Sequence, residues 1–90
     1  MANLHQVFGQ AVRIRRRQLG LSQEELADRA GIHRTYVSAV ELGKVRLGLA
    51  AAHRLATGLG TSLSELIKVA EARMGGTQPI AVLGSFSAPC

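Results

Sequence analysis

The sequence predicts an all-α domain of five short helices, on three observations. Apolar residues recur at three- and four-residue steps, the period of a helix with one buried face. Two S-x-x-E segments, Ser22/Glu25 and Ser62/Glu65, have the spacing of helix-starting capping boxes. Apolar residues make up 47% of the chain and aromatics only 3%, so the core is built from Leu, Val, Ile and Ala, the usual filling of small helical domains. Ninety residues support one such core and exclude two folded domains.

The elements follow in order. Leu4, Val7, Phe8, Ala11 and Ile14 place a first helix at about 4–18, closed by Gly20. Ser22 caps a second at about 23–30, with Leu21 and Leu26 at the flanking positions of a hydrophobic staple. Gly31 suits a left-handed C-cap, and Ile32 and Val37 repeat the staple spacing around His33, so a third helix starts at Arg34 and ends near Leu42. Gly43 opens a basic connector, GKVRLG, with no apolar period. Leu49, Ala52, Leu55, Ala56 and Leu59 suggest a fourth helix at 49–58, although Gly58 lies inside it and only Gly48 is available as a cap. The fifth follows Ser62, presents Leu63, Leu66, Ile67, Ala70 and Met74, and stops at Gly75 and Gly76. Residues 1–74 thus read as the folded domain. Residues 75–90, uncharged and rich in Gly, Ser and Pro, read as a flexible tail in which IAVL has the composition of a short strand.

Composition narrows the function. No apolar run approaches the roughly 18–20 residues of a membrane span, and the start MANLHQ lacks the apolar region of a secretory signal, so a cytoplasmic protein with no membrane partner is expected. The lone cysteine, Cys90, has no partner for a disulfide within the chain or for a cysteine-based metal site. His5, His33 and His53 are too scattered for a metal triad, and no metalloprotease or phosphate-loop motif occurs. Neither an enzyme nor a cofactor-binding protein is expected. Eleven basic against six acidic residues give a net charge of +5, which favours polyanions.

The second and third helices, joined by about three residues around Gly31, have the spacing of a helix-turn-helix unit over residues 23–42. Counted from Gln23, that unit needs apolar or small residues at the fourth, fifth, tenth, fifteenth and eighteenth positions and glycine at the ninth. Leu26, Ala27, Ile32, Val37, Val40 and Gly31 supply them. Small Ala27 lets the helices approach, and Val37 and Val40 hold the second helix to the core.

On these residues the chain resembles the phage repressor and Cro family of helix-turn-helix DNA-binding domains, the XRE type. The resemblance covers residues 7–72 and is carried by LGLSQEELADRAGIHRTYVSAVELGK and LATGLGTSLSEL. The HRTYVS segment is also similar to small controller proteins of restriction-modification systems. The resemblance implies a compact five-helix lambda-repressor-like domain that acts as a homodimer on palindromic double-stranded DNA. It also implies that the front of the third helix faces the major groove.

The residue types there suit that task. Arg34 has the fork for a bidentate pair with guanine, Thr35 reaches a base or a phosphate, and Ser38 and Ala39 meet a base edge or a thymine methyl. His33 stands where the family usually has Ser or Thr, and two roles stay open: contact with a base or phosphate, or acceptance of a backbone N–H as a cap. Tyr36 either reaches a phosphate or packs with a wet tip. The resemblance makes Gln23 a phosphate clamp, and Lys44 and Arg46, which follow the third helix, either hold phosphates or lie in a solvated loop. Within the basic run of the first helix, the resemblance assigns Arg16 to an internal salt bridge with Glu41. Arg13, Arg15 and Arg17 are left either to phosphate attraction or to plain solvation. The apolar face of the fifth helix, Leu63, Leu66, Ile67, Ala70 and Met74, serves either the core alone or both the core and a dimer seam. Leu47 and Gly48 replace the family's frequent proline and Ser or Thr cap, which predicts a mobile start to the fourth helix.

The expected function is a sequence-specific transcriptional regulator whose dimers occupy an operator and block or recruit RNA polymerase. A restriction-modification controller is the narrower version. The rival from another class is a protein-interaction module, an adapter or antitoxin, on the same fold.

Overall fold

Cap chemistry sets where the helices begin. The computed structural model describes residues 3–74, which form α1 (Leu4–Gln18), α2 (Gln23–Ala30), α3 (Arg34–Glu41), α4 (Leu49–Gly58) and α5 (Leu63–Arg73). The tail expectation, at 75–90, lies outside the described residues. At the start of α2 the Ser22 hydroxyl accepts the Glu25 N–H at 3.0 Å, while the Glu25 carboxylate accepts the Ser22 N–H at 2.8 Å. Hydrogen bonding of the carboxylate to Ser22, first through the Ser22 backbone N–H, holds Glu25 below its ordinary carboxylate pKa. Asn3 and Gln6 make the same reciprocal pair ahead of α1, a box built from amides. Ser62 caps α5 by accepting from the Glu65 N–H. Gly48 gives α4 no side-chain cap, and Leu49 behind it is 80% exposed.

The five helices close a ring of principal contacts. α1 packs on α3 and α5, α2 on α3 and α4, and α4 on α5, so each helix has two main neighbours. Inside lie Val7, Phe8 and Val12 of α1, Leu26 and Ala27 of α2, Val37 and Val40 of α3, Leu55 and Ala56 of α4, and Leu66 and Ala70 of α5, with Leu59 just beyond α4. Two glycines let the ring tighten. A Cβ on Gly9 would collide with the Val40 carbonyl oxygen, so α1 meets the end of α3 backbone to backbone. A Cβ on Gly58 would lie 3.1 Å from the Ala30 nitrogen and 3.2 Å from a Leu26 methyl, so the glycine that interrupts α4 is where that helix closes on α2.

The connector after α3 differs from its reading as aperiodic. Val45 and Leu47 pack against the core, whereas Lys44 and Arg46 stay exposed. The segment alternates in and out as an extended chain does. The α5 face divides between core and surface. Leu66 and Ala70 are 2% and 0% exposed within the protomer and leave no area for a seam, because the helix turns them directly into its own core. Leu63 and Ile67 are half-buried beside an apolar groove shared with Leu4, Leu47 and Leu49, and Met74 is exposed. No helix of the described residues is long and apolar enough to cross a membrane.

Candidate nucleic-acid interface

The turn between α2 and α3 is set by one backbone conformation. Gly31 has φ +70°, and the N–H of Ile32 returns to the Ala27 carbonyl at 3.0 Å. Only glycine takes this left-handed conformation without strain. The chain then reverses within a few residues, and Val37 and Val40, 0% and 2% exposed, seat α3 by one face. The opposite face is left outside. His33, Arg34 and Thr35 are exposed, and Ser38 and Ala39 are half-buried along the helix behind them. The first turn of α3 itself carries no acid. Together with Glu24, Ala27, Asp28 and Ile32, the three front residues line a shallow depression between the two helices.

His33 occupies the N-cap of α3. Its Nδ1 accepts the Thr35 N–H at 3.2 Å and lies 2.8 Å from the Thr35 hydroxyl oxygen. Of the two roles left open for it, capping is thus visible in the fold, and the second ring nitrogen is free to point elsewhere. Tyr36 is half-buried and packs against the core cluster.

Beneath the surface Glu41 gathers three groups. Its carboxylate accepts Arg16 Nε at 2.7 Å and Nη2 at 3.0 Å, a two-pronged pair, and also the Gln23 amide at 3.0 Å. The side chains of Arg16 and Glu41 are 11% and 3% exposed, and the remaining Arg16 prong donates to the Leu21 carbonyl at 2.8 Å. The hydrogen bonds to Glu41, reinforced by its charge and opposed by burial, hold the Arg16 guanidinium above its ordinary pKa. The Arg16–Glu41 pair ties α1 to the end of α3. The Gln23 link, which sequence reasoning missed, ties in the start of α2. Its only signal in the sequence is that a glutamine, rather than an apolar residue, opens the unit. The link takes one amide hydrogen of Gln23 and leaves the other uncommitted.

The remaining cations divide by partner. Arg15 donates to the Leu59 carbonyl at 3.2 Å and Arg54 to the Gly31 carbonyl at 3.3 Å, so both bind the fold, and Arg54 braces the turn itself. Arg13, Arg17, Lys44 and Arg46 are exposed, and among the described residues none of the four makes a side-chain hydrogen bond or salt bridge. Among those residues, no three His, Cys, Asp or Glu side chains gather as metal ligands would. The arrangement is a rigid polar edge, flanked by loose basic side chains, that a duplex groove can accept.

Comparison with known proteins gives this geometry its relatives. The profile of the helix-turn-helix family matches residues 12–66. An uncharacterised helix-turn-helix transcriptional regulator of Methanothermobacter thermautotrophicus is 47% identical over 49 residues, covering 54% of this chain and 71% of that protein. Control protein C.MunI of a Mycoplasma species is 38% identical over 60 residues, covering 66% of this chain and 81% of that protein. Among solved structures, the restriction-modification controller protein C.AhdI of Aeromonas hydrophila superposes with a TM-score of 0.66 at 43% identity, over 68% of this chain and 92% of its own. With a profile spanning more than half its length and restriction-modification control proteins among its homologues, the chain belongs to the helix-turn-helix family of transcriptional regulators.

Proposed function

We propose that the protein is a restriction-modification controller, a regulator that binds an inverted-repeat operator as a homodimer through the front of α3 and thereby blocks or recruits RNA polymerase. One observation carries this reading: Arg34 and Thr35 stand exposed at the head of a helix whose rear face, Val37 and Val40, is fully buried. Arg34 pairs with guanine in the major groove, and Ser38 and Ala39 meet the next base edges. Gln23, Tyr36, Lys44, Arg46 and Arg17 hold the backbone phosphates that set the register. Residues 1–74 are the operative domain, with the reading unit at 23–42. The control proteins found among the relatives support the narrower role.

Two copies join through the groove of Leu4, Leu47, Leu49, Leu63 and Ile67, extended by Met74 at the end of α5. Their reading helices then lie about one DNA turn, roughly 34 Å, apart. The test is a pair of substitutions assayed on a duplex selected from random sequence. Arg34→Ala weakens binding to the selected duplex by about 1–3 kcal/mol and leaves binding to unrelated DNA nearly intact. Lys44→Ala weakens binding to all duplexes alike and reduces the salt slope by about one. An Arg34→Ala variant that kept its full preference would sink the assignment.

A further inference from the structure

We infer that His33 and Thr35 meet DNA with opposite and fixed hydrogen-bond polarity: the His33 ring donates through Nε2–H, and the Thr35 hydroxyl accepts. This deepens the regulator reading above and rests on it. The Thr35 backbone N–H points at His33 Nδ1 across 3.2 Å. Two N–H groups do not face one another, so Nδ1 holds a lone pair and the neutral ring carries its proton on Nε2. Thr35 Oγ1 lies 2.8 Å from the same Nδ1, a separation that needs a hydrogen between them. The nitrogen has none to give, so the hydroxyl is the donor. What Thr35 then presents outward is lone pairs alone.

This polarity selects the chemistry that each residue can meet. Nε2–H suits an acceptor, either a purine N7 or O6, thymine O4, or a phosphate oxygen. The Thr35 oxygen suits an amino group, adenine N6 or cytosine N4, and is mismatched to phosphate, which offers no hydrogen. The choice between base and phosphate for Thr35 therefore falls to the base. A single cap thus closes the helix start and orients two reading groups. Both are held in place before DNA arrives, which lowers the ordering cost of binding.

The test has two arms. In the free protein at mildly alkaline pH, long-range proton–nitrogen NMR of His33 should show Nδ1 in the unprotonated range and Nε2 in the protonated range. The reverse pattern, or one averaged between tautomers, overturns the inference. In the second arm, Thr35→Val lowers affinity for the selected duplex about threefold to tenfold, the worth of one neutral hydrogen bond, whereas Thr35→Ser retains it. That loss disappears on a duplex in which the contacted adenine or cytosine lacks its amino group; an equal loss on both duplexes overturns the acceptor assignment. His33→Ser keeps a capping oxygen and removes the ring donor. Its loss of affinity is cancelled by a 7-deazapurine if the acceptor is N7, by a base analogue lacking the contacted carbonyl oxygen if it is O6 or O4, and by a methylphosphonate if it is a phosphate; no loss on any duplex overturns the donor assignment. A wild-type protein that selected no sequence would defeat the regulator reading and the DNA contacts with it. A selected sequence combined with the wrong tautomer would defeat this inference alone.

Discussion

At Glu41 a buried carboxylate meets Arg16, which also donates to the Leu21 carbonyl, and Gln23, which opens α2. Removing one member of a buried ion pair costs far more than removing both, because the survivor keeps its charge without its partner. Glu41→Ala should lower stability by about 3 kcal/mol in chemical denaturation. The double variant Arg16→Met with Glu41→Leu should recover much of that loss, and a double variant that is worse than Glu41→Ala would show the pair to be net stabilising. Glu25 gives a second prediction. Its pKa is lowered by the Ser22 hydrogen bonds, so its contribution to stability is complete above the ordinary carboxylate value and is lost as pH falls through the lowered one. Thermal unfolding should therefore show Glu25→Gln less stable than wild type near neutrality, with the two melting temperatures converging on acidification. A constant gap at all pH values would assign the effect to side-chain shape. The outward placement of Arg34 and Thr35 was legible at this scale because exposure followed from the position of buried Val37 and Val40. The approach of the Thr35 hydroxyl to His33 Nδ1 was not, since rotamers place it and no spacing rule encodes it.

The helices were legible wherever chemistry marks their ends. Ser22 with Glu25 and Ser62 with the N–H of Glu65 announce α2 and α5, and Gly31 announces the turn, because capping is a local reaction between neighbours in sequence. Gly9 and Gly58 announce nothing of the kind. By helix propensity alone, Gly9→Ala in the middle of α1 should gain about 1 kcal/mol. The structure reverses the sign, since the added Cβ meets the Val40 carbonyl, a backbone atom that cannot swing aside. Gly9→Ala should instead destabilise by about 2 kcal/mol, the cost of overpacking a tight crossing, and should lower the urea midpoint accordingly. A rise in the midpoint would mean that α1 and α3 separate more freely than their packing suggests. The alternation of Val45 and Leu47 with Lys44 and Arg46 was present in the sequence but too short to distinguish from chance.

For the molecule as a whole, the ring of helices decides which apolar residues remain for a second copy. Periodicity marked Leu66 and Ala70 as readily as Leu63 and Ile67, yet the first two are enclosed by the protomer itself. The groove that stays open also draws on α1 and α4, through Leu4 and Leu49. Leu49→Glu, on a side chain that is 80% exposed, should leave the melting temperature of the protomer nearly unchanged while shifting sedimentation from dimer to monomer. Operator binding should then fall to that of a single half-site. A dimer that survived Leu49→Glu and Ile67→Glu together would move the seam elsewhere.

Local rules in this chain determine five helices, a glycine turn at Gly31 and an outward polar edge at Arg34, since caps, periods and left-handed turns depend on residues a few positions apart. Tertiary structure alone decides that Glu41 joins Gln23 to Arg16, that Gly9 and Gly58 are points of closest approach, and that an apolar groove links α1, α4 and α5. Those features depend on which surfaces the ring brings together across some 18 to 63 positions, as from Gln23 to Glu41 or from Leu4 to Ile67. An apolar side chain at helical spacing is marked for burial in either case, and only packing reveals whether its own protomer covers it.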